Sequence, residues 1–419
     1  MRAICVVLLD GLGDRAYPEL GHRTANEAAR TPVLDALCEG GSCGLLSPLG
    51  PGRAPSSELA HWAMLGYYDD EFPGRAVLEA LGHGVPLRED AVYAYAALRR
   101  GARRDGGVVV TGRVREDGGA VPSQFVAEIS SGPLSARCHY LGSGEAVLEL
   151  TGGEADDRIT DTDPFFRERD PMLAPLPLVP EAEASARAAA NWTRESLREN
   201  ADGTVVVATL KWWGRVRSAP SFPERHGLRG VVVGSSPFLA GLARAVGLEP
   251  RRVPDSDDPA HDLEARLSVA ARALEDGAGF VWVHTKAVDE AGHTKSPSRR
   301  VTVLERLDPV LAAVSRPPFC DTVVCVTGDH ATPCAPAMIH SGDPVPFVVR
   351  GRGVRADSVT CFGELDCAGG ILGRLRGEDV MPVLLNAADR ALFAGSRPTP
   401  VRAPAGHPER PEPFPWGAG

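Results

Sequence analysis

The chain has 419 residues, 43% of them hydrophobic and 24% charged, with a formal net charge of −10. That length fits two domains, or one large core carrying an insertion. The composition is that of a globular protein, the acidic balance argues against nucleic-acid binding, and no apolar run approaches the length of a transmembrane helix.

The N-terminal stretch MRAICVVLLDGLGD contains a continuous apolar run that reads as a buried strand of parallel-sheet type. It carries no cleavage-type tail and is read as a strand, not a signal peptide. The run stops at Asp10-Gly11-Leu12-Gly13-Asp14, which is turn chemistry by itself. Thr31-Pro32 then opens a helix with Val33, Leu34 and Leu37 on its apolar side and Gly40-Gly41 as its stop. A turn-rich stretch over 47–55 leads to Ser56-Ser57-Glu58-Leu59-Ala60-His61-Trp62-Ala63-Met64-Leu65-Gly66, a helix with serine at its start. Serine there is most often a cap. It is also where the helix dipole and free N–H groups favour a serine nucleophile and a bound phosphate. The pattern alone does not choose between Ser56 and Ser57.

From about residue 91 to 220 the texture changes. Val108–Val110, Ala146–Leu150 and Val205–Leu210 read as strands, 180–200 as a helix, and Thr160-Asp161-Thr162-Asp163-Pro164 as an acidic turn. Lys211-Trp212-Trp213-Gly214-Arg215 clusters cations with aromatics, in a chain whose only lysines are 211, 286 and 295. This region is expected to be an inserted α+β domain. The α/β rhythm returns with a strand over 230–234, helices over 236–246 and 260–276, and the strand 280–284. Thr285-Lys286-Ala287-Val288-Asp289-Glu290-Ala291-Gly292-His293 follows that strand. After a helix over 300–315 comes the strand 322–326, which ends at Thr327-Gly328-Asp329-His330, with His340 ten residues further on. A last helix is expected to run to about Ala394, followed by a loose Pro- and Gly-rich tail.

Three strands thus end in an acid, at Asp10, Asp289 (after a short turn) and Asp329, with His293, His330 and His340 close by. In a parallel sheet those ends share one edge, where α/β proteins place their chemistry. Acids and histidines in this number suit two divalent metals. A two-metal clamp suits phosphoryl or sulfuryl transfer, with a serine at a helix start as the covalent nucleophile. Nine cysteines without a CxxC pair point to a reducing compartment, and the protein is expected to be cytoplasmic.

Taken in order, DGLGD, TPVLDAL, GLLSPLGPG, SELAHWAMLGY, ITDTDP, PSFPERHGLRG, VHTKAVDEAGH, VTGDHATP, HSGDPVP and GRLRGEDVMPVL resemble the alkaline phosphatase superfamily. More narrowly, they resemble its archaeal-type cofactor-independent phosphoglycerate mutases over most of the chain. The resemblance implies a doubly wound, mostly parallel α/β core with an inserted α+β cap that closes over the substrate. The expected divisions are 1–90 and 221–400 for the core, 91–220 for the cap and 401–419 for the tail. It implies Ser57 as nucleophile, one metal held by Asp289, His293 and His340, and another held by Asp10, Ser57, Asp329 and His330. The ions would be two of Mn2+, Mg2+, Zn2+ or Co2+, and the partner a small phosphorylated metabolite, with no nucleic acid or membrane. The phosphoryl group would pass to Ser57 and return to a neighbouring hydroxyl. The cap departs from the family. Its Cys-Asn-Phe-Ala-type segment is replaced near Tyr95-Ala96-Ala97-Leu98-Arg99, and its Arg-Gly-Ala-Gly stretch is Lys211-Trp212-Trp213-Gly214 here. An arginine fork becomes a lysine point charge. Lys211, Trp212 and Trp213 are therefore expected to contact the substrate, and Asp157 and Arg158 to orient it. The alternative is a phosphatase or group-transfer enzyme that uses the same two-metal serine site on a different substrate.

Overall fold

The structure is a computed structural model that describes residues 2–104, 106–114, 125–164, 171–336 and 338–391. The expected tail 401–419 lies outside the described residues. Two compact units are present, Met1–Phe72 with Ala219–Gly419, and Pro73–Ser218.

The first unit is built on an eight-stranded sheet. Its order is Glu249–Arg252, Gly230–Gly234, Phe280–Thr285, Ile4–Leu9, Val323–Thr327, Val345–Arg350, Ser42–Leu46 and Gly373–Leu375. Neighbours are parallel except at Val345–Arg350, which runs antiparallel to both strands beside it. Every residue of Ile4–Leu9, Phe280–Thr285 and Val323–Thr327 is buried. Burial on both faces is why these strands read as unbroken apolar runs and not as alternating patterns. Helices Pro259–Glu275, Pro297–Leu311 and Pro32–Glu39 pack in one group, and Ser57–Met64, Pro237–Ala245 and Gly377–Ala387 in another. The last helix stops at Ala387, short of the expected Ala394. The helix at Pro32 is capped from a distance: Thr31 makes no side-chain cap, and Asp308 accepts the N–H groups of Val33 and Leu34 instead. No helix among the described residues is long and apolar enough to cross a membrane.

The second unit is a seven-stranded antiparallel sheet with a helix on each face. It begins at Pro73, earlier than the expected residue 91, because helix Arg75–His83 packs on this sheet. Strand Val92–Arg104 alternates. Val92, Ala94, Ala96 and Leu98 meet helix Glu183–Glu195 through Ala188, Ala189 and Trp192. Tyr93, Tyr95 and Ala97 face Ala76, Val77 and Ala80 of the other helix. That period of two is the pleat of a strand covered on both sides.

The cation–aromatic cluster is a bulge in strand Thr204–Arg215. Tyr93 pairs with Gly214 and Tyr95 with Lys211, so Trp212 and Trp213 together face the single residue Ala94. Trp212 takes the left-handed φ of +60° that the bulge requires. The two rings part company: Trp212 joins the Tyr95 side and Trp213 packs into the opposite core. The Trp212 ring has Arg75 Cζ at 3.9 Å and Lys211 Nζ at 4.1 Å. Lys211 is buried and lies 3.6 Å from Asp163. Burial, against the pull of Asp163, brings its ammonium down to about 8. Asp163 also receives Arg99 Nη2 at 3.0 Å and Thr209 Oγ1 at 3.0 Å. Asp157 and Arg158 do not pair with each other. Asp157 takes Arg217 at 3.0 Å and Arg215 at 3.5 Å, while the half-exposed Arg158 forks onto Asp156.

Candidate active site

The register of the three central strands sets the site. Leu9 lies beside Thr285 and Leu8 beside Thr327, so the chain leaves the sheet on one edge at Asp10, Lys286 and Gly328-Asp329. Helix Ala287–His293 then carries Asp289 and His293 one turn apart. The loop after Asp10 runs close against this helix. Gly11 has a φ of +67°, and a Cβ there would sit 2.5 Å from Thr332 Oγ1 and 2.8 Å from Asp289 Oδ1. Arg300 is fully buried and holds the loop from behind. Its Nη2 donates to the carbonyls of Gly11, Leu12 and Gly13, and its Nη1 to that of Thr332. Lys295 Nζ braces the stretch leading to His340, through the carbonyls of Pro333 and Met338.

Ser56 makes no side-chain cap, and Ser57 is the first residue of helix Ser57–Met64. Ser57 Oγ is 3.0 Å from His330 Nε2. The same nitrogen lies 3.3 Å from Asp10 Oδ1 and 3.3 Å from Asp329 Oδ2. Thr332 fixes the tautomer. Its hydroxyl donates to Asp289 Oδ1 at 2.6 Å, so at 3.2 Å it accepts from His330 Nδ1. Nε2 then carries a lone pair facing two carboxylates. His340 repeats the arrangement: Nδ1 donates to the Pro55 carbonyl at 3.0 Å, leaving Nε2 3.8 Å from Asp289 Oδ1. His293 Nε2 is 3.3 Å from Asp289 Oδ2.

Lone pairs aimed at carboxylates repel unless a cation lies between them. Among the described residues neither Asp10 Oδ1 nor Asp329 Oδ2 has a well-formed hydrogen bond, although both are buried, and His61 Nε2 stands 3.4 Å from the latter. Ligands about 2.1 Å from a tetrahedral metal sit roughly 3.4 Å apart, close to the spacing seen here. Ligand-type atoms of Asp10, Asp329 and His330 all come within 4.8 Å of one another, as do those of Asp289, His330 and His340. The residues present therefore fit divalent metal ions. In the sequence-based division His330 served one ion only. Here it stands between both clusters, and its ring stacks on that of His340 with centroids 3.6 Å apart.

The charges follow the geometry. Burial, then the Asp329 and Asp289 carboxylates, hold the Asp10 carboxyl well above its ordinary range. Burial acts the same way on Asp329, but His330, His61 and His284 outweigh it and hold that carboxyl low. Burial pushes the His330 imidazole down to about 4, against the pull of Asp329. Asp289 is brought to about 2, where His293 and His330 overcome burial.

Two residues at this site had no sequence-based role. His61, one turn along the helix from Ser57, is fully buried with Nε2 3.4 Å from Asp329 Oδ2. His284, near the end of its strand, places Nε2 3.0 Å from Asp10 Oδ2. The i,i+4 spacing from Ser57 was the available signal for His61. The last buried position of FVWVH was the signal for His284. Both orient ligands from behind. His61→Asn is expected to weaken Mn2+ binding about 10–100-fold while leaving far-UV circular dichroism unchanged. Isothermal titration would measure it.

A second buried network supports the first loop. Glu364 receives Thr24 Oγ1 at 2.6 Å, Asn26 Nδ2 at 2.7 Å and the Asp14 N–H at 3.2 Å. Burial pushes its carboxyl up to about 7. A raised carboxyl favours the fold fully below its ordinary 4.5, loses that contribution as pH rises through about 7, and is level above. The stability difference between wild type and Glu364→Gln should therefore shrink by about 3 kcal/mol between pH 4.5 and 7.5. Urea unfolding across that range tests it.

A family model described as the metalloenzyme superfamily matches residues 2–387. The 2,3-bisphosphoglycerate-independent phosphoglycerate mutase 2 of Methanocaldococcus jannaschii is 32% identical, over 95% of this chain and 95% of that protein. The 2,3-bisphosphoglycerate-independent phosphoglycerate mutase of Methanopyrus kandleri is 34% identical, over 93% of this chain and 97% of that protein. Among solved structures, a Pyrococcus horikoshii protein aligns with a TM-score of 0.77 at 26% identity, covering 94% of this chain and 99% of its own. The cofactor-independent phosphoglycerate mutase of Thermoplasma acidophilum aligns with a TM-score of 0.62 at 28% identity, covering 93% and 100%.

Proposed function

The chain belongs to the metalloenzyme superfamily and, within it, to the family of the archaeal 2,3-bisphosphoglycerate-independent phosphoglycerate mutases, and from that premise we propose that it exchanges a phosphoryl group between the neighbouring hydroxyls of 2- and 3-phosphoglycerate, or of a close relative, through phospho-Ser57. The observation that carries this is Ser57 Oγ at a helix start, 3.0 Å from His330 Nε2 and beside the buried oxygens of Asp10 and Asp329.

Two divalent ions, one at Asp10, Ser57, Asp329 and His330 and one at Asp289, His293 and His340, would draw charge from the serine oxygen and from the phosphoryl group. The chain supplies position. Ser57 Oγ gives up its proton and forms the bond to phosphorus as the bond to the substrate oxygen breaks. That oxygen keeps the electron pair and takes a proton. The neighbouring hydroxyl then takes the phosphoryl group from Ser57, giving up its proton as the serine oxygen regains one. A phosphoryl group on Ser57 would meet the free N–H groups and positive dipole end of helix Ser57–Met64. Much of the rate comes from holding these groups in line.

In this proposal the insert orients the part that is not transferred, through Lys211 and Trp212 and through Asp157 and Arg158; Trp213, also expected from the sequence, packs its ring into the core on the other side of the sheet and is left out. The enzyme is placed in the cytoplasm, with a small phosphorylated metabolite as its partner. Exchange between 2- and 3-phosphoglycerate in the presence of Mn2+, Mg2+, Co2+ or Zn2+ is the expected result. No exchange with any of the four overturns the reading.

The bulge at Trp212 and Trp213 favours a second reading, in which the same serine site serves another phosphorylated substrate or passes the group to water. The triple change Lys211→Arg, Trp212→Gly, Trp213→Ala restores the residues of the family pattern. Under the second reading it should raise mutase activity, and no gain counts against that reading.

A further inference from the structure

Far from the oxygen and nitrogen ligands, three cysteines meet inside the first unit. Cys38 lies in the last turn of helix Pro32–Glu39, Cys43 in strand Ser42–Leu46, and Cys367 ends helix Glu364–Cys367. All three side chains are fully buried, and their sulfur atoms lie within 4.8 Å of one another. Cysteines that serve only as small apolar residues have no need to place sulfur on sulfur.

The backbones that carry the sulfurs are pinned. The Cys43 N–H donates to Asp357 Oδ2 at 2.7 Å, and its carbonyl accepts from Leu372 N at 2.9 Å. The Cys38 carbonyl accepts from Gly41 N at 3.0 Å, and Cys367 N donates to the Gly363 carbonyl at 2.9 Å. The chain crosses so close above Cys43 that a Cβ on Gly370 would lie 2.1 Å from its carbonyl oxygen. Three thiolates about 2.3 Å from one cation stand roughly 4 Å apart, so the cluster needs little closing. Among the described residues a fourth ligand is not at hand. Asp357 is the nearby carboxylate, and its oxygens already take the N–H groups of Cys43, Ile371 and Val359.

We propose that Cys38, Cys43 and Cys367 form a buried three-sulfur site for a soft monovalent d10 cation of the Cu+ class, separate from the hard-ligand site at Ser57. On binding, three sulfur–metal bonds form and three thiol protons leave to solvent. Thiolates select soft cations, whereas the Asp and His set takes harder divalent ones, so one chain sorts two kinds of metal. The lack of a fourth ligand favours a three-coordinate ion over tetrahedral Zn2+. The consequence is mechanical. Helix Glu364–Cys367 carries at its other end the glutamate that holds Asp14, Thr24 and Asn26, and Asn26 donates to the Leu12 carbonyl at 2.8 Å. A cation at the sulfurs would staple the helix that steadies the Asp10–Gly13 loop.

The test uses the full chain, reduced and kept free of oxygen, with Cu+ delivered from a competing chelator and hard metals removed by EDTA. One retained equivalent of Cu+ is expected in the wild type and in Cys320→Ser, an exposed thiol outside the cluster, and none in Cys367→Ser. Equal retention by wild type and Cys367→Ser overturns the proposal, as does tighter binding of Zn2+ than Cu+. Should Cys367→Ser fail to fold, X-ray absorption on the copper-loaded wild type decides. Three sulfur neighbours support the site, and nitrogen or oxygen neighbours refute it. Neither readout depends on mutase activity.

Discussion

Ser57→Ala should lose turnover by about 10^4-fold or more and form no phosphoenzyme, while folding as the wild type does. Among the described residues the Ser57 hydroxyl meets the lone-pair nitrogen of His330 at 3.0 Å. Ser56, not Ser57, stands at the cap position of the helix, and its side chain makes no cap bond. Removing Oγ therefore strips the nucleophile without breaking a cap or opening the core. The cost in stability should stay within about 1 kcal/mol. Mass spectrometry of acid-quenched enzyme with substrate and Mn2+ would show phosphate on the peptide containing Ser57 in the wild type only. Wild-type turnover by Ser57→Ala, or phosphate on another residue, would overturn the assignment. Ser57→Cys separates loss of the nucleophile from loss of shape. It keeps a side chain in place and should retain the fold with little turnover.

The core of this protein was legible because its central strands are buried on both faces. Ile4–Leu9, Phe280–Thr285 and Val323–Thr327 are apolar over most of their length, and a run of that kind with an acid close after it is visible in one dimension. The parallel register then carries Asp10 and Asp329 to one edge. His61 and His284 were hidden by the same burial, since each sits within an apolar segment and only the fold turns it toward a carboxylate. The insert was harder for a different reason. Strand Val92–Arg104 ends in an arginine-rich half that does not read as a strand, and it is held there by pairing with Gly107–Arg113 and Thr204–Arg215. Helix Arg75–His83 gives no local sign of the unit to which it belongs, because only its packing against Tyr93, Tyr95 and Ala97 decides that. The three-cysteine cluster draws on three separate elements and leaves no spacing to recognise.

Asp329→Asn should abolish activity and metal binding, and should cost more stability with metal present than without it. Asp329 is fully buried. Its Oδ1 takes the Gly11 N–H at 3.1 Å, which an asparagine oxygen can keep. Its Oδ2 has no well-formed hydrogen bond among the described residues, with His61 Nε2 at 3.4 Å, and the ion-pair partners of Asp10, Asp289 and Asp329 are histidines. Without a cation the wild type therefore crowds carboxylates together, and their mutual repulsion is seen in the raised Asp10 carboxyl. Neutralising Asp329 relieves that crowding but gives up the pull of His330, His61 and His284 that holds its carboxyl low, so in EDTA the two effects oppose and the unfolding midpoint should move by no more than a few degrees, equivalent to about 1 kcal/mol. With metal the balance changes. A ligand at a hundred times its dissociation constant stabilises by about 2.7 kcal/mol, and the variant forgoes this. Thermal unfolding of both proteins, in EDTA and in Mn2+, should give a gap that widens in Mn2+. If Asp329→Asn is less stable by the same margin in both, the carboxylate is a structural group and the metal assignment at Asp329 fails. The widening separates a site shaped for a cation from one that merely contains charged residues. A structural carboxylate stabilises the fold by itself, whereas a ligand carboxylate stabilises it only when the cation is bound.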